Sequence, residues 1–386
     1  LVARTEDSTS VDNISIPDNT YYWMKFDSSG THLANAQFTA TTHVQRAFVR
    51  LAVNNSGESY FSFLFNGNMV VGGNTYTSSS GASLVIKVDS IGGLQWSKQI
   101  NTGYARDLDV NSSGNLLYCG QCGDNATFDS FTCVNSTSRS TPLVAELDKT
   151  NGNAVRIFNP SVQNGGEVKT IYVDNNDNYY FGGEFGRQYF ASLNRMVFGN
   201  DTLSGLTNSS NSQLGEETGF IAKASSNGQA LWLKQVGYRP SVNQPVIKLF
   251  GSGSDIYLLG EMRDSLNLES AAGNLWLKSF NQSNNFIAKL DANGHAINAR
   301  PSTLFNNEFR SIDCSNSGDI FVSGSFDENF YYSLNDSLNF TGNSAAFDDS
   351  YIGKINSLDT FSINAPSNVK VHAKGSVNSF LFFTDL

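Results

Sequence analysis

The 386-residue sequence contains little that marks a known reaction or a membrane span. It has only 4 histidines, 4 cysteines and 7 prolines. No G-x-S-x-G, H-E-x-x-H or P-loop motif occurs, so the signatures of serine hydrolases, zinc proteases and P-loop enzymes are missing. No run approaches the roughly 18 apolar residues of a membrane-spanning helix. We therefore expect no cofactor, no bound metal and no membrane insertion.

Charge is also scarce, and its balance is acidic. Charged residues make up 16% of the chain, and the net charge is −10. Because the basic residues are scattered, the sequence is unsuited to a polyanion, and we expect no nucleic-acid partner. The opening stretch, LVARTEDSTS, has neither the basic nor the apolar region of a signal peptide, which predicts a mature protein or an excised domain.

Three of the cysteines lie close together in YCGQCGDNATFDSFTC. Cys122 and Cys133 could close a short disulfide loop in an oxidising compartment. Cys119 and Cys122 also match C-x-x-C, but a zinc site needs a second ligand pair and a redox motif needs a βαβ unit. A disulfide or buried thiols are therefore favoured over either alternative.

Two motifs alternate along the chain six times. Copies of the first include YYWMKFDSSG from Tyr21, SLVIKVDSIGG from Ser83, PLVAELDKTNG from Pro142, GFIAKASSNG from Gly219, NFIAKLDANG from Asn285 and SYIGKINSLD from Ser350. Copies of the second, such as LDVNSSGNLLYCGQC and IDCSNSGDIFVSGSF, read as a strand, a polar turn and another strand. Each is a hairpin signature. A repeat therefore supplies strands a and b from the second motif, then c and d from the first.

Four antiparallel strands repeated about every 60 to 77 residues predict an all-β, six-bladed β-propeller. We expect one domain, residues 1–386, with blades at 42–101, 102–160, 161–237, 238–303, 304–366, and 367–386 combined with 1–41. Strands a and b at the C-terminus would pair with strands c and d at the N-terminus and close the ring. The variable segments between b and c are predicted to wrap the outer edge.

The stretches FIAKLDANG, IKVDSIGGLQWSKQI and IDCSNSGDIFVSGSF resemble the SBBP-type bacterial β-propeller repeat. The resemblance covers nearly the whole chain and is weakest in the copy from Ser350. It implies a secreted or cell-surface protein, often from Bacteroidota and exported by type IX secretion, although the family's sorting domain is absent from this sequence. The resemblance implies no catalytic residues.

Packing explains most repeated residues. Trp96 and Trp232 occupy the same place in strand d, where we expect packing between blades rather than sugar stacking. The repeated lysine of strand c is predicted to lie on a solvated face or to pair with a turn carboxylate. The turn DNNDN from Asp174 could hold calcium but lacks the features of an EF-hand, so a plain turn is favoured.

Polar residues that vary between repeats are better candidates for function. Aligned on strand a, they form one alternating row at the channel: Arg50, Asp107, Asp109, Thr170, Tyr172, Ser311, Asp313, Lys370 and His372. We expect a mutually neutralising lining or, as the alternative, a ligand site. Tyr104, Arg106, Tyr238 and Arg239 lie in loops that enter strand a and are candidate recognition residues on the rim.

These observations favour a non-catalytic extracellular module. We expect it to bind a surface or secreted protein or a glycan, as in adhesion, or to be part of a larger assembly. The alternative is a secreted carbohydrate-active enzyme that uses Asp107, Asp109 and Asp313 at the channel. Such an enzyme needs carboxylates about 5 to 10 Å apart, whereas carboxylates that are salt-bridged or on separate levels would remove its support.

Overall fold

The computed structural model of the protein describes residues 2–5, 8–40, 49–101, 103–123, 126–133, 140–163, 165–186, 195–205, 218–237, 246–252, 255–262, 265–278, 284–301, 307–314, 320–326, 329–331, 337–339, 349–355 and 363–364. All regular elements in these ranges are β-strands. Among the same residues, no helix is long and apolar enough to span a membrane. The predicted all-β class is confirmed.

The chain begins with a three-stranded sheet, which we call the N-terminal sheet, followed by sheet 1. The first strands are β1 (Val2–Arg4), β2 (Thr9–Val11), β3 (Ile14–Ile16), β4 (Thr20–Phe26) and β5 (His32–Thr39). Strands β1, β4 and β5 form the N-terminal sheet, and β2 pairs with β3. Sheet 1 has the order β6 (Val49–Val53), β7 (Ser59–Val71), β8 (Asn74–Val88) and β9 (Leu94–Ile100).

Sheets 2 and 3 carry additional short strands between their second and third members. Sheet 2 is formed by β10 (Ala105–Val110), β11 (Leu116–Cys122), β14 (Thr141–Leu147) and β15 (Ala154–Ile157). Between β11 and β14 the chain forms a separate hairpin of β12 (Thr127–Phe128) and β13 (Phe131–Thr132). Next come β16 (Ser161–Val162), β17 (Gly166–Val173), β18 (Tyr179–Phe185), β19 (Arg195–Phe198), β20 (Asp201–Ser204), β21 (Thr218–Ala224) and β22 (Ala230–Val236). Sheet 3 is formed by β17, β18, β21 and β22.

Sheets 4 and 5 repeat this plan. Their region comprises β23 (Lys248–Ser252), β24 (Asp255–Met262), β25 (Ser265–Ser270), β26 (Gly273–Lys278), β27 (Asn284–Leu290), β28 (Ala296–Pro301), β29 (Asn307–Cys314), β30 (Ile320–Phe326), β31 (Asn329–Tyr331), β32 (Ser337–Asn339), β33 (Asp349–Ile355) and β34 (Ile363–Asn364). Sheet 4 runs β23-β24-β27-β28, and sheet 5 runs β29-β30-β33-β34. The described residues thus hold five four-stranded antiparallel sheets, and the four-strand repeat is confirmed.

The polar turn residues explain why these hairpins form where they do. A side-chain oxygen at the first turn position accepts hydrogen bonds from backbone N–H groups two and four residues later, as Asp89 does from Ile91 and Gly93. Asn54, Asp174 and Asp291 do the same in their own turns. Such side chains mimic a backbone turn and hold the two strands in register.

The described strands form two compact units, one containing β1 to β15 and the other β16 to β34. In the first unit, the N-terminal sheet and sheet 1 share a core that includes Trp23, Phe61 and Phe63. Sheets 1 and 2 share a second core. In the second unit, sheets 3 and 4 bury Tyr180, Ile221 and Phe286 together with other apolar residues. These neighbouring sheets therefore pack face to face within their units. Whether the whole chain is one domain stays a prediction.

The repeated tryptophans pack between sheets, as we predicted. Trp96 Nε1 donates to the carbonyl of Lys149, at 2.9 Å, in the turn of the next sheet. Trp232 Nε1 donates to Ala292 in the same way, at 3.0 Å. Gly152, at φ +72°, lies so close to Trp96 that a Cβ there would be 2.8 Å from the ring. The turn glycine and the tryptophan thus form one repeated contact.

In two copies of the repeat, the lysine of strand c pairs with a carboxylate next to a turn, which is one of our two alternatives. Lys87 is 5% exposed and lies 2.9 Å from Glu58, and Lys289 lies 2.6 Å from Asp255. Each lysine also lies over the tyrosine opposite it on the neighbouring strand, Tyr60 at 5.2 Å and Tyr257 at 5.7 Å. The cation is therefore held by an anion and an aromatic face.

One expectation about ring closure requires correction. We expected the C-terminal hairpin to pair with the strand at Tyr21, which is β4. That edge of β4 pairs instead with β1, and Val2 lies opposite Trp23. Closing this short local loop costs less chain entropy than pairing the two ends of the chain. Residues 365–386 lie outside the described residues.

Candidate functional site

The register of the sheets places each residue of the predicted row on its strand a. In each sheet, the position of strand a is defined by its partner on strand b. Equivalent positions in the separate sheets hold Arg50, Asp107, Thr170 and Ser311, which lie opposite Ser62, Cys119, Gly182 and Ser323. The position two residues later holds Asp109, Tyr172 and Asp313. The strand register agrees with the alignment of the repeats, and a common row at a channel stays a prediction. Lys370 and His372 lie outside the described residues.

A β-bulge recurs at the start of strand a in sheets 2, 3 and 5. It lies between Ala105 and Asp107, between Val168 and Thr170, and between Phe309 and Ser311. The extra residue is basic each time: Arg106, Lys169 and Arg310. Bulges redirect a side chain and are frequent next to functional sites. Sheets 1 and 4, whose described pairings have no bulge here, carry Arg50 and Lys248 at the adjoining position.

Glycine on strand b makes room for the bulged backbone. A Cβ on Gly120 would be 1.9 Å from the carbonyl oxygen of Tyr104, and one on Gly183 would be 2.0 Å from that of Glu167. No side chain fits at either position. The repeated glycine of the second sequence motif is thus explained by this close approach.

The charge of Asp107 is offset by Arg50 within the first unit. Asp107 is 5% exposed, and its charge acts on Arg50, whose Nε donates to the carbonyl of Arg106. Burial lowers the pKa of the Arg50 guanidinium, and the nearby Asp107 carboxylate opposes that shift. The buried carboxylate of Asp107 thus lies near the half-buried Arg50, whose positive charge offsets it. A neutralising lining of a channel stays a prediction.

Asp109 and Asp313 have the same local geometry in their separate units. The Asp109 carboxylate accepts a hydrogen bond from the N–H of Val110 at 2.7 Å, and that of Asp313 accepts one from Cys314 at 2.9 Å. Asp109 and Asp107 lie on different levels of one strand, about 7 Å apart along it. Asp107 is compensated by Arg50, and the other two carboxylates are hydrogen-bonded to their own strands.

A buried ionic cluster lies at the start of β17, where we expected no functional residues. Glu167 and Glu184 are 1% and 0% exposed and lie directly opposite each other on β17 and β18. Lys169, the bulged residue, donates to Glu184 and lies 4.0 Å from Glu167. Glu167 aligns with Tyr104 of sheet 2, and Lys169 aligns with Arg106. Aligning this segment with GYARD of the preceding repeat could have identified Glu167 and Lys169 from the sequence.

Two predicted rim residues, Tyr104 and Arg106, lie at the start of strand a in the first unit, and the backbone of Arg106 contacts Arg50. Tyr104 is half-buried, and a Cβ on Gly81 would be 3.5 Å from its ring. Arg106 is half-buried, and its carbonyl accepts from Arg50. Tyr238 and Arg239, the other predicted rim residues, lie outside the described residues.

The structure joins Cys122 and Cys133 by a disulfide, the pairing that we considered first. Cys119 is a buried thiol outside the disulfide, and Cys314 is a half-buried one. Burial, together with the charges of Asp313 and Asp255, raises the pKa of Cys314 to about 12. Since the thiolate is the reactive form, the raised pKa disfavours reaction of Cys314 at neutral pH.

The turn at Asp174 is a hydrogen-bonded turn. Its carboxylate accepts from the backbone N–H groups of Asn176 and Asn178 and from the Asn178 amide. Within the described part of the chain, no three His, Cys, Asp or Glu residues are grouped so that they could hold a metal ion.

No protein-family model and no curated protein matches this chain. Solved structures that resemble it include hydrazine synthase of Kuenenia stuttgartiensis, at 9% identity and a TM-score of 0.39, over 88% of this chain and 95% of that one. The Dos1 propeller has 11% identity and a TM-score of 0.35, over 73% and 67%. A 6-phosphogluconolactonase-like protein of Bacteroides uniformis has 10% identity and a TM-score of 0.36, over 88% and 95%. At such low scores, no activity or ligand carries over to this chain.

Proposed function

We propose that this protein is a non-catalytic extracellular or cell-surface module that binds a protein or a glycan. Its six repeats would build a six-bladed β-propeller of the SBBP type. The proposal of a propeller is supported by the five four-stranded sheets of the described residues and by the face-to-face cores inside each unit.

The state of the three suspected carboxylates is the observation that carries this proposal. A glycosidase keeps one carboxyl group protonated and a second one ionised on either side of the substrate bond. Here Asp107 is compensated by Arg50, and Asp109 and Asp313 each accept from the following N–H. This arrangement favours binding over catalysis.

The proposed location is supported by the disulfide and by the repeat resemblance. Disulfides persist in oxidising compartments and are rare in the cytosol. Cys122 and Cys133 are bridged, and both are at most 1% exposed. A secreted or surface-attached protein satisfies both observations.

The function can be tested by capture of ligands from a surface extract of the native source, in parallel with a glycan array. We expect one specific protein or glycan to bind the immobilised protein. A Tyr104→Ala variant and an Arg106→Ala variant test the rim, and Ile91→Ala, at a position that is 77% exposed, is the control. Failure to retain any component of the extract or array would contradict the proposal.

A further inference from the structure

A cleft runs along the outer strand of sheet 3, inside the second unit. Strand β22 lies between the hairpin β19–β20 and the hairpin β25–β26, and it contacts both. The cleft has a volume of about 370 Å³, and its polar lining includes Asp201, Thr202, Lys234, Asn267, Glu269 and Asn274. A cavity of this volume is within the range of about 300 to 1,000 Å³ that is usual for small-molecule sites.

The hairpin β25–β26 has one apolar face and one polar face. Leu266, Leu268 and Leu277 are at most 5% exposed and belong to the core of sheets 3 and 4. Alternate residues point to the other face, where Asn267 lies opposite Trp276 and Glu269 lies opposite Asn274. Because Asn267, Glu269 and Asn274 line the cleft, Trp276 is on the cleft side, and its side chain is 55% exposed.

Asn267 is a buried polar side chain with an unused acceptor. It is 5% exposed, and its Oδ1 has no hydrogen-bond partner among the described residues. Leaving a buried acceptor unsatisfied costs about 1 to 3 kcal/mol. A hydroxyl donor that entered the cleft would remove this cost.

The charges of the cleft disfavour an anionic ligand. Lys234 is 2.8 Å from Glu269 and thereby compensates that carboxylate. Asp201 supplies a second carboxylate, one oxygen of which accepts from the N–H of Leu233 at 3.0 Å. With two carboxylates against one ammonium, the cleft would repel phosphate, sulfate or uronate groups.

The hydrogen bond from the Leu233 N–H to Asp201 also disfavours an extended peptide as the ligand. Peptides that add to a sheet use the free N–H and C=O groups of an edge strand. The Leu233 N–H on β22 is already taken by Asp201, and a hairpin flanks the strand on each side. Closely spaced carboxylate, amide and hydroxyl groups beside an exposed indole suit a ligand with many hydroxyls and an apolar C–H face.

We infer that this cleft binds a neutral oligosaccharide. Sugar hydroxyls would donate to Asn267 Oδ1 and to the carboxylates of Glu269 and Asp201, and one sugar face would lie against Trp276. Binding here would be one form of the function proposed above, on which it rests.

Isothermal titration calorimetry of the full chain tests this assignment. The neutral probes are hexasaccharides of glucose, mannose, galactose and N-acetylglucosamine, and polygalacturonate is the acidic probe. We expect at least one neutral sugar to bind and polygalacturonate not to bind. Trp276→Ala and Asn274→Ala, both at exposed positions, should each weaken the affinity about tenfold. Ile91→Ala should leave it unchanged.

Glycan binding that Trp276→Ala leaves intact would overturn the cleft assignment but not the binding function. Binding of none of the four sugars would overturn the assignment too, and capture from the surface extract would then show whether the binding function survives. Capture of a protein that Trp276→Ala abolishes, with no sugar bound, would replace the glycan with a peptide ligand. Preferential binding of polygalacturonate would also contradict the assignment.

Discussion

Glu167 and Glu184 lie directly opposite each other on β17 and β18, fully buried, and Lys169 donates to Glu184 from the bulge. Two like charges across a sheet are destabilising unless a cation offsets them. Lys169→Met should therefore lower the free energy of unfolding by about 3 to 5 kcal/mol, as measured by urea denaturation. Lys98→Met, which removes the more exposed pair with Asp129, should cost about 1 kcal/mol or less. Equal costs would show that the buried cluster stabilises the fold no more than the exposed pair does.

Trp96 should matter far more for stability than Trp276. Trp96 is 9% exposed and bonded to the Lys149 carbonyl, whereas Trp276 is 55% exposed. We expect Trp96→Ala to cost about 3 to 5 kcal/mol and Trp276→Ala to change stability by about 0.5 kcal/mol or less. Thermal unfolding of both variants measures this difference. A large loss in Trp276→Ala would mean that this ring is structural and not free for a ligand.

The tryptophan contact shows how far the sequence could predict this structure. The spacing of Trp96 and Trp232 was enough to place both in strand d and between sheets. The sequence could not show that Gly152 approaches Trp96 so closely, because that contact joins residues of different repeats. The all-β class and the four-strand repeat followed from the alternating motifs, since turn residues and apolar strands are local signals.

The candidate sites were harder to predict for the same reason. The row of Arg50, Asp107 and Asp109 followed from aligning the repeats. The bulge at Lys169 in sheet 3 was missed because a one-residue insertion changes the side that a residue faces without leaving a local signal. The cleft beside Trp276 is built from three segments that are distant in sequence. The partner of β4 was wrong because the short β1 was not recognised as a strand.

Acid should weaken the turn that begins at Asp148. Hydrogen bonds from the Thr150 side chain and backbone lower the pKa of this carboxyl group. A group whose pKa is lower in the folded state stabilises fully above its unfolded pKa, near 3.8, and this stabilisation is lost as the pH falls through the folded value. Asp148→Asn keeps the acceptor oxygen, as Asn54 and Asn111 do at equivalent turns, but does not titrate.

The wild type and Asp148→Asn should therefore differ most in stability above the unfolded pKa of Asp148 and converge as the pH falls through its lowered folded pKa. Urea unfolding over a series of pH values measures this convergence. A stability difference that does not depend on pH would show that the charge of Asp148 contributes nothing to the turn.

Reduction of the disulfide should destabilise sheet 2. Cys122 and Cys133 close a loop with a sequence separation of 11, for which chain entropy alone predicts about 3 kcal/mol. A Cys122→Ser, Cys133→Ser double variant should unfold at lower urea concentration by the corresponding amount. Cys314→Ser is the matched control and should have a much smaller effect. If dithiothreitol does not change the stability of the wild type, the disulfide makes no contribution.

The most direct measurement is the chemical state of whatever the protein retains from a native surface extract, determined by mass spectrometry after release. Compensation of Asp107 by Arg50 and the hydrogen-bonded state of Asp109 and Asp313 predict a ligand recovered intact after prolonged incubation. A ligand cleaved by the wild type but left intact by Asp107→Asn or Asp109→Asn would contradict the assignment of a non-catalytic binding module.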